Sequence, residues 1–431
     1  MAVSPRMVAV EVRERCLWTE LAPPVPGPVV ALPTRTGVIV VGGGYTGLAA
    51  ARALARAGRD VTVIERETVG WGASSRNGGF VLPGFKADLP DIAARYGPEA
   101  ARGLFQLSLD AVNFVEQLVR EEGIACDFHR PGWISLAARP AHLAALAESA
   151  RLLSALCAYQ TTVLDSAAVR AEVGSARFFG GLLDPGAAAL QPAAYLGGLA
   201  SAARRIGARV VEGTAVRAIS GRPGAFRVET SQGTVAADEI LVATDGYGGR
   251  EMPALTRRVV PVGSYIVATP PLDETVARRL IPRGRVLSDT RRLLNYFRLS
   301  PDRRLVFGGR ARFVPGRLAG SAELLIAQMH EVFPELSGTP IEHAWGGHLG
   351  FTRDGLPHAG RLDGIHYAVG YCGHGVALAT WLGHWMGEAL AGRRPMPELP
   401  GQGFGPIPGY YGTPWFLPLV GAWYRFRDAM D

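Results

Sequence analysis

Apolar residues fall into short blocks of two kinds along this chain. Val38 to Val41 is an unbroken apolar run; a glycine turn follows, then an alanine-rich stretch with helical spacing from Tyr45 to Ala57, then a second run, Val61 to Glu65. Two strand-like runs joined by a helical period predict a βαβ unit. Residues 91 to 122 and 140 to 172 also carry helical spacing, separated by Gly132 to Ala138, which alternates like a strand. Pro192 opens a further helix, Gly207 ends it, and Val210 to Ile219 reads as strand. Ala237 to Tyr247 reads as a buried strand ending in a turn. From Arg257 to Gly309 the segments GSYIVATPP, LLNYFRLS and RRLVFGG read as β, and SAELLIAQMHEVF reads as helix. The last pieces are a strand, IHYAVG, a glycine turn, YCGHG, and a helix from Val376 to Leu390.

Pieces of a dinucleotide-binding α/β fold thus lie at both ends and near the middle, with a β-rich section between. The pattern predicts two interleaved domains. Residues 37–90, 190–250 and 340–395 form the first, and 91–189 and 251–339 the second. Residues 1–36 are a proline-rich lead, and 396–431 a tail that packs on the body.

Length and composition agree: 431 residues with 48% apolar content bury a sizeable core. The net charge of +7 raises nucleic acid as a partner, but the basic residues are scattered doublets such as Arg204-Arg205, Arg257-Arg258 and Arg303-Arg304. Scattered doublets are solvated surface, so no nucleic-acid partner is expected. Cys16, Cys126, Cys157 and Cys372 form no CxxC pair, which leaves neither a metal site nor a disulfide framework to expect. The charged start MAVSPRMVAVEVRER lacks the apolar core of an export leader, and no stretch is long enough to span a membrane, so a cytoplasmic location is expected.

The chemistry begins at Gly42-x-Gly44-x-x-Gly47. Gly42 permits the tight turn, Gly44 lets a pyrophosphate approach the backbone, and Gly47 lets the helix pack on its strand, with Tyr45 and Thr46 at the helix N-terminus. Glu65 ends the next strand 18 residues after Gly47, where a carboxylate can accept from ribose hydroxyls, with Arg66 beside it. This motif does not choose between FAD and NAD. The second glycine turn, Gly373, His374, Gly375 and Val376, does: it lacks a following acidic residue and offers a helix N-terminus to the electron-rich edge of a reduced flavin.

At this point the chain resembles the D-amino-acid-oxidase superfamily of FAD-dependent oxidoreductases, most closely its gamma-glutamylputrescine oxidoreductase branch. The resemblance rests on VVGGGYTGLAAARALARAG, VGWGASSRNGGF, LVATDGY, YFRLSPDRRLVFGG and GLPHAGRLDGIHYAVGYCGHGV. It implies an FAD-binding Rossmann-like α/β domain interleaved with a substrate domain built on a large mixed β-sheet, the flavin ring lying between them. It further implies flavin contacts along Gly72, Ala73, Ser74, Ser75, Arg76, Asn77, Gly78 and Gly79, an adenine contact near Val216, and cofactor contacts at Ala243 and Thr244. The reaction implied is hydride removal from the carbon beside an amine, giving an imine that water hydrolyses.

Departures from the family pattern narrow the substrate. Leu349 stands where amino-acid-oxidising relatives have a carboxylate-binding arginine, which argues for an amine lacking an α-carboxylate, with Arg298 and Arg353 as substitutes if an acid group is held elsewhere. Ser74, Ser75 and Arg76 stand where some relatives carry a flavin-linking histidine, and no cysteine lies between Cys157 and Cys372, so non-covalent FAD is expected. His348, Tyr265 and Tyr296 are the candidates for handling the amine proton. Lys86, the only lysine, is the one lysine able to assist oxygen. Oxygen, giving hydrogen peroxide, and a quinone or carrier both remain open as acceptors. An amino-acid oxidase or dehydrogenase is the alternative enzyme, and a non-catalytic FAD-binding partner the alternative of another kind. The aromatic and basic C-terminal tail could touch a membrane surface; packing on the body is the expectation.

Overall fold

The structure, a computed structural model, describes residues 14–24, 27–249, 251–309, 318–399 and 404–430. The export-leader expectation rests on residues 1–15 and so falls almost wholly outside them. The apolar run at Val38 lies in the strand Arg35–Val41, inside an eight-stranded sheet. That strand pairs in parallel with Val61–Ile64 on one side and Thr234–Val242 on the other. Arg209–Val211 and Ile365–Val369 extend the parallel order outward. Strands covered on both faces read as continuous apolar runs, which is why Val38 to Val41 shows no alternation. The antiparallel strand His358–Leu362 closes one edge, and Val216–Arg222 with Ala225–Thr230 forms a meander off Thr234–Val242. The run expected as one strand from Val210 to Ile219 is therefore two, parted where the chain turns at Gly213 with φ +64°.

The helices Tyr45–Arg56 and Gly375–Leu390 pack against each other at very short range. Gly383 and Gly387, one turn apart, face the backbone of Thr46 and Ala50, and a Cβ on Gly387 would sit 2.6 Å from the Ala50 carbonyl oxygen. The alanine and glycine content of both segments is thus the packing surface itself.

A second eight-stranded sheet runs in the order His343–Phe351, Val260–Ala268, Leu305–Gly309, Asn295–Leu299, Val286–Asp289, Trp133–Leu136, Gly180–Asp184, Thr162–Asp165. Its pairs are antiparallel except Val286–Asp289 with Trp133–Leu136, which makes the sheet mixed. One face buries Val267, Phe297 and Phe307 against Leu325 and Met329 of the helix Leu318–Val332.

Several sequence-based boundaries need correction. The strand His343–Phe351 pairs with Val260–Ala268, so residues 343–351 belong to the second sheet and not, as the boundary at 340 had it, to the first. The helical stretch expected over 140–172 stops at Cys157, where Ala158 takes φ +51°, and Thr162–Asp165 continues as an edge strand. The stretch 91–122 is broken at Gly97, φ +89°, between the helices Leu89–Tyr96 and Pro98–Glu122. The lead is no mere extension: Trp18 is fully buried against Trp345 and donates from Nε1 to the Asn77 carbonyl at 2.8 Å.

At the other end, the helix Leu417–Met430 is fixed by Asp428, whose carboxylate accepts the backbone N–H groups of Arg292 and Leu293 at 3.1 Å each. Trp415, Leu419, Trp423, Phe426 and Met430 remain exposed. No helix among the described residues is long and apolar enough to cross a membrane.

Candidate active site

Residues of both sheets line a cavity of about 690 Å3. On the first-sheet side its wall is mostly backbone. Gly42 has φ +107°, and a Cβ there would lie 2.9 Å from the Ala243 oxygen. A Cβ on Gly44 would lie 2.9 Å from Ser74 Oγ, and one on Gly47 would overlap the Gly42 oxygen. The helix Tyr45–Arg56 opens onto the cavity with Gly44 as its N-cap, and the Tyr45 N–H donates to Ser74 Oγ at 3.2 Å. A helix start presents its remaining N–H groups and a positive dipole end to an anion.

The Glu65 carboxylate lines the same wall and accepts from the backbone N–H of Gly43 at 2.7 Å and of Glu67 at 2.9 Å. A phosphate-binding turn beside an oriented carboxylate fits the pyrophosphate and ribose of FAD. Tyr45, Thr46, Arg66, Val216, Ala243 and Thr244 also line the cavity.

The bare loop after Val61–Ile64 runs along this wall. Gly72, Ala73, Ser74, Arg76, Asn77 and Gly78 face the cavity, with Ala73–Arg76 forming a single helical turn. Ser75 and Gly79 do not. The Ser75 hydroxyl is turned back to the Gly70 carbonyl, and Gly79, at φ +74°, is packed on the Leu190 carbonyl. Asn77 holds the loop by donating to the Ala73 and Ser74 carbonyls and accepting from Gly79 N–H at 2.8 Å. Gly373, His374, Gly375 and Val376 lie on the cavity wall at the start of the helix Gly375–Leu390.

Asp245 pins the two glycine-rich walls to the second sheet. It follows the strand Thr234–Val242, has φ +45°, and is partly buried on the cavity wall. Its carboxylate accepts from Gly370 N–H at 2.7 Å and Gly350 N–H at 3.0 Å, and burial pushes its carboxyl up despite those bonds. Within LVATDGY the signal for this role is an aspartate ending an apolar strand.

On the second-sheet side, strand alternation decides which candidates face inward. Ser264 and Ile266 line the cavity, so Tyr265 between them points into the sheet's far core against Gly346. Gly347 and Leu349 line it, so His348 points away, stacked on Tyr247 at 5.3 Å beside Trp415 in a separate shallow depression. Burial pulls the His348 imidazole below its usual range. Tyr265 and His348 are thus corrected from cavity residues to supporting ones. Tyr296 does face the cavity; its hydroxyl lies 3.2 Å from Ser264 Oγ, and its ring packs on Phe80 and Gly78.

Arg298 is also corrected. Its guanidinium is buried over the Trp18 ring and donates from Nη1 to the carbonyls of Gly79 and Leu190 at 3.1 and 3.0 Å. Burial lowers it to about 10, with Asp127 opposing the shift. It clamps the loop ending at Gly79 to the second sheet. Arg353 is exposed and off the cavity wall, whereas Lys86 is on it. The arginines that do line the cavity already have partners: Arg76 pairs with Glu14 at 2.6 Å, Arg291 with Asp289 at 2.6 Å, and Arg66 lies 3.5 Å from Glu67.

Comparison with known proteins agrees with this geometry. The family model described as DAO, FAD dependent oxidoreductase, matches residues 37–389. Gamma-glutamylputrescine oxidoreductase of Escherichia coli (strain K12) is 36% identical over 357 residues, covering 82% of this chain and 83% of that protein. A probable oxidoreductase, OrdL, of Rhizobium meliloti (strain 1021) is 33% identical over 93% of this chain and 94% of its own length. Among solved structures, glycine oxidase from Geobacillus kaustophilus superposes with TM-score 0.72 at 21% identity, covering 87% of this chain and 99% of that one. That likeness shows the shared fold. With the family match spanning most of the chain and the glycine cradle suited to the cofactor, the protein belongs to the DAO family of FAD-dependent oxidoreductases.

Proposed function

We propose that the enzyme oxidises an amine lacking a carboxylate on the reacting carbon, releasing an aldehyde or ketone and ammonia or a smaller amine after hydrolysis of the imine. When bound, FAD supplies the hydride acceptor. The observation that carries the substrate reading is Leu349: it lines the cavity within van der Waals reach of the Gly373 turn, where a Cβ would meet Leu349 Cδ1 at 3.6 Å. An aliphatic side chain at that place gives a carboxylate no donor. The gamma-glutamylputrescine oxidoreductase likeness supports the same reading.

The chain's own part is desolvation and positioning. A free alkylamine is an ammonium at neutral pH, and an apolar wall of Leu349, Ile266 and Phe80 disfavours that charge, promoting the neutral amine. The paired hydroxyls of Tyr296 and Ser264 are placed to accept from the amine N–H and fix its lone pair. Ser74 to Arg76 supplies no histidine or cysteine for a covalent link, so acid precipitation should release the flavin into the supernatant.

The test is anaerobic mixing of the FAD-loaded protein with alkylamines, diamines, gamma-glutamyl amines and α-amino acids while following oxidised-flavin absorbance. Bleaching by amines supports the reading; bleaching by α-amino acids alone overturns it in favour of amino-acid oxidation. Admitting oxygen and assaying peroxide decides between oxygen and another acceptor.

A further inference from the structure

The cavity continues well past Tyr296. Cross-strand register places Tyr296 opposite Ser288, Ser288 opposite Ser135, and Ser135 opposite Leu182, with Trp133 opposite Asp184 one step along. All six residues line the cavity. Three strand spacings separate the Tyr296 strand from the Asp184 strand, about 14 Å. A site for a short amine has no use for this length.

The far end is a built polar box. Asp184 is buried on the cavity wall, and its hydrogen bonds from the Tyr159 hydroxyl and the Gly186 N–H both end on Oδ1, so neither of them occupies Oδ2. No cation among the described residues forms an ion pair with this carboxylate. The indole of Trp133 stands beside it, fixed by donation from Nε1 to Ser288 Oγ at 3.0 Å. Arg291, also on the cavity wall, is matched by Asp289, and His142 is bonded to Thr290 Oγ1 at 2.6 Å. A buried carboxylate without a cation, next to an aromatic face, is complementary to an ammonium group.

We propose that Asp184 and Trp133 bind a second ammonium group, so that the enzyme selects amines carrying another amino group about ten bonds from the one oxidised, a reach that follows from roughly 1.3 Å of extension per bond. The inference rests on the amine-oxidation reading for its kinetic arm only. That arm compares 1,10-diaminodecane with 10-aminodecan-1-ol. The wild-type enzyme should favour the diamine about 10- to 100-fold in kcat/KM, mostly through KM, as befits one charged hydrogen bond. Asp184→Asn should erase the preference while leaving kcat/KM for the amino alcohol within about threefold, and Trp133→Phe should reduce it several-fold.

Flavin content per chain reports folding of each variant. The binding arm uses the bis-quaternary decane-1,10-bis(trimethylammonium), which is not oxidised: calorimetry should show binding to wild type weakened at least about tenfold in Asp184→Asn. No diamine preference, a preference for an ω-carboxylate, or equal or absent binding of the bis-quaternary probe overturns the proposal. If no amine bleaches the flavin but the probe still distinguishes the variant, the amine-oxidation reading fails and the cation site stands.

Discussion

One cavity has two walls built on opposite principles. The first-sheet wall, from Gly42 to Gly47, Gly72 to Gly78 and Gly373 to Val376, is made of main chain brought close by missing side chains. The second-sheet wall is made of side chains from alternate strand positions: Ser264, Ile266, Tyr296, Gly347 and Leu349. A wall of backbone tolerates little added bulk at Gly42, Gly44 and Gly47, where a Cβ would lie within 3 Å of a carbonyl or hydroxyl oxygen, or at Gly78, where it would meet the Tyr296 ring at 3.0 Å. A wall of side chains changes its chemistry one residue at a time and keeps its shape, as befits the wall proposed above to choose the substrate.

The sharpest break of this comparison is Gly47→Val. The new side chain would collide with the Gly42 carbonyl, and flavin bound per chain, read from the visible spectrum, should fall at least about tenfold; near-normal flavin content would show that the cradle is not rigid. Next is Asp245→Ala, which strips the acceptor from the Gly350 and Gly370 N–H groups. A loss of about 3 kcal/mol in unfolding free energy is expected by denaturant titration, enough to loosen one wall from the other. Arg298→Met should cost about 2 kcal/mol by the same titration while kcat/KM per bound flavin stays within about threefold. A selective rise in KM would instead put that guanidinium on the substrate.

The helix behind the first wall gives a pH test. His384 stacks on Phe114 at 4.5 Å, and burial, helped by nearby Arg52 and Arg394, lowers it to about 4. Between about pH 6.5 and 4 the unfolded chain takes up a proton that the folded chain refuses. Its contribution is therefore fully present above about pH 6.5 and is lost as pH falls toward 4. In His384→Gln the melting temperature should fall less steeply over that interval. The smallest effect belongs to His348→Gln, which should leave the pH profile of kcat/KM unmoved and kcat within about twofold, because the ring faces away from the cavity.

The difference between the walls also explains what could be read in advance. A backbone-built wall writes itself into sequence as glycine at fixed spacing, so Gly42 to Gly47, the bare loop and Gly373 to Gly375 were all legible. Alternation along a strand tells that two faces differ but not which one meets a cavity. Tyr265 and His348 were therefore placed one residue out of phase, while Tyr296 fell on the right side. Arg298 looked like a substrate anchor because its type suits carboxylates; only the carbonyls of Gly79 and Leu190, far away in sequence, reveal its work. Asp184, inside a stretch reading LLDPG, resembles an ordinary turn residue until its register with Trp133 is known.

Lys86 has a practical consequence. It is the chain's single lysine, and it sits on the cavity wall. Amine-directed acylation therefore addresses one side chain besides the α-amino group, and that side chain borders the cavity. A small fluorophore attached there becomes a built-in reporter of ligand binding, whereas coupling the enzyme to an activated resin through its amines would anchor it at a residue of the cavity wall.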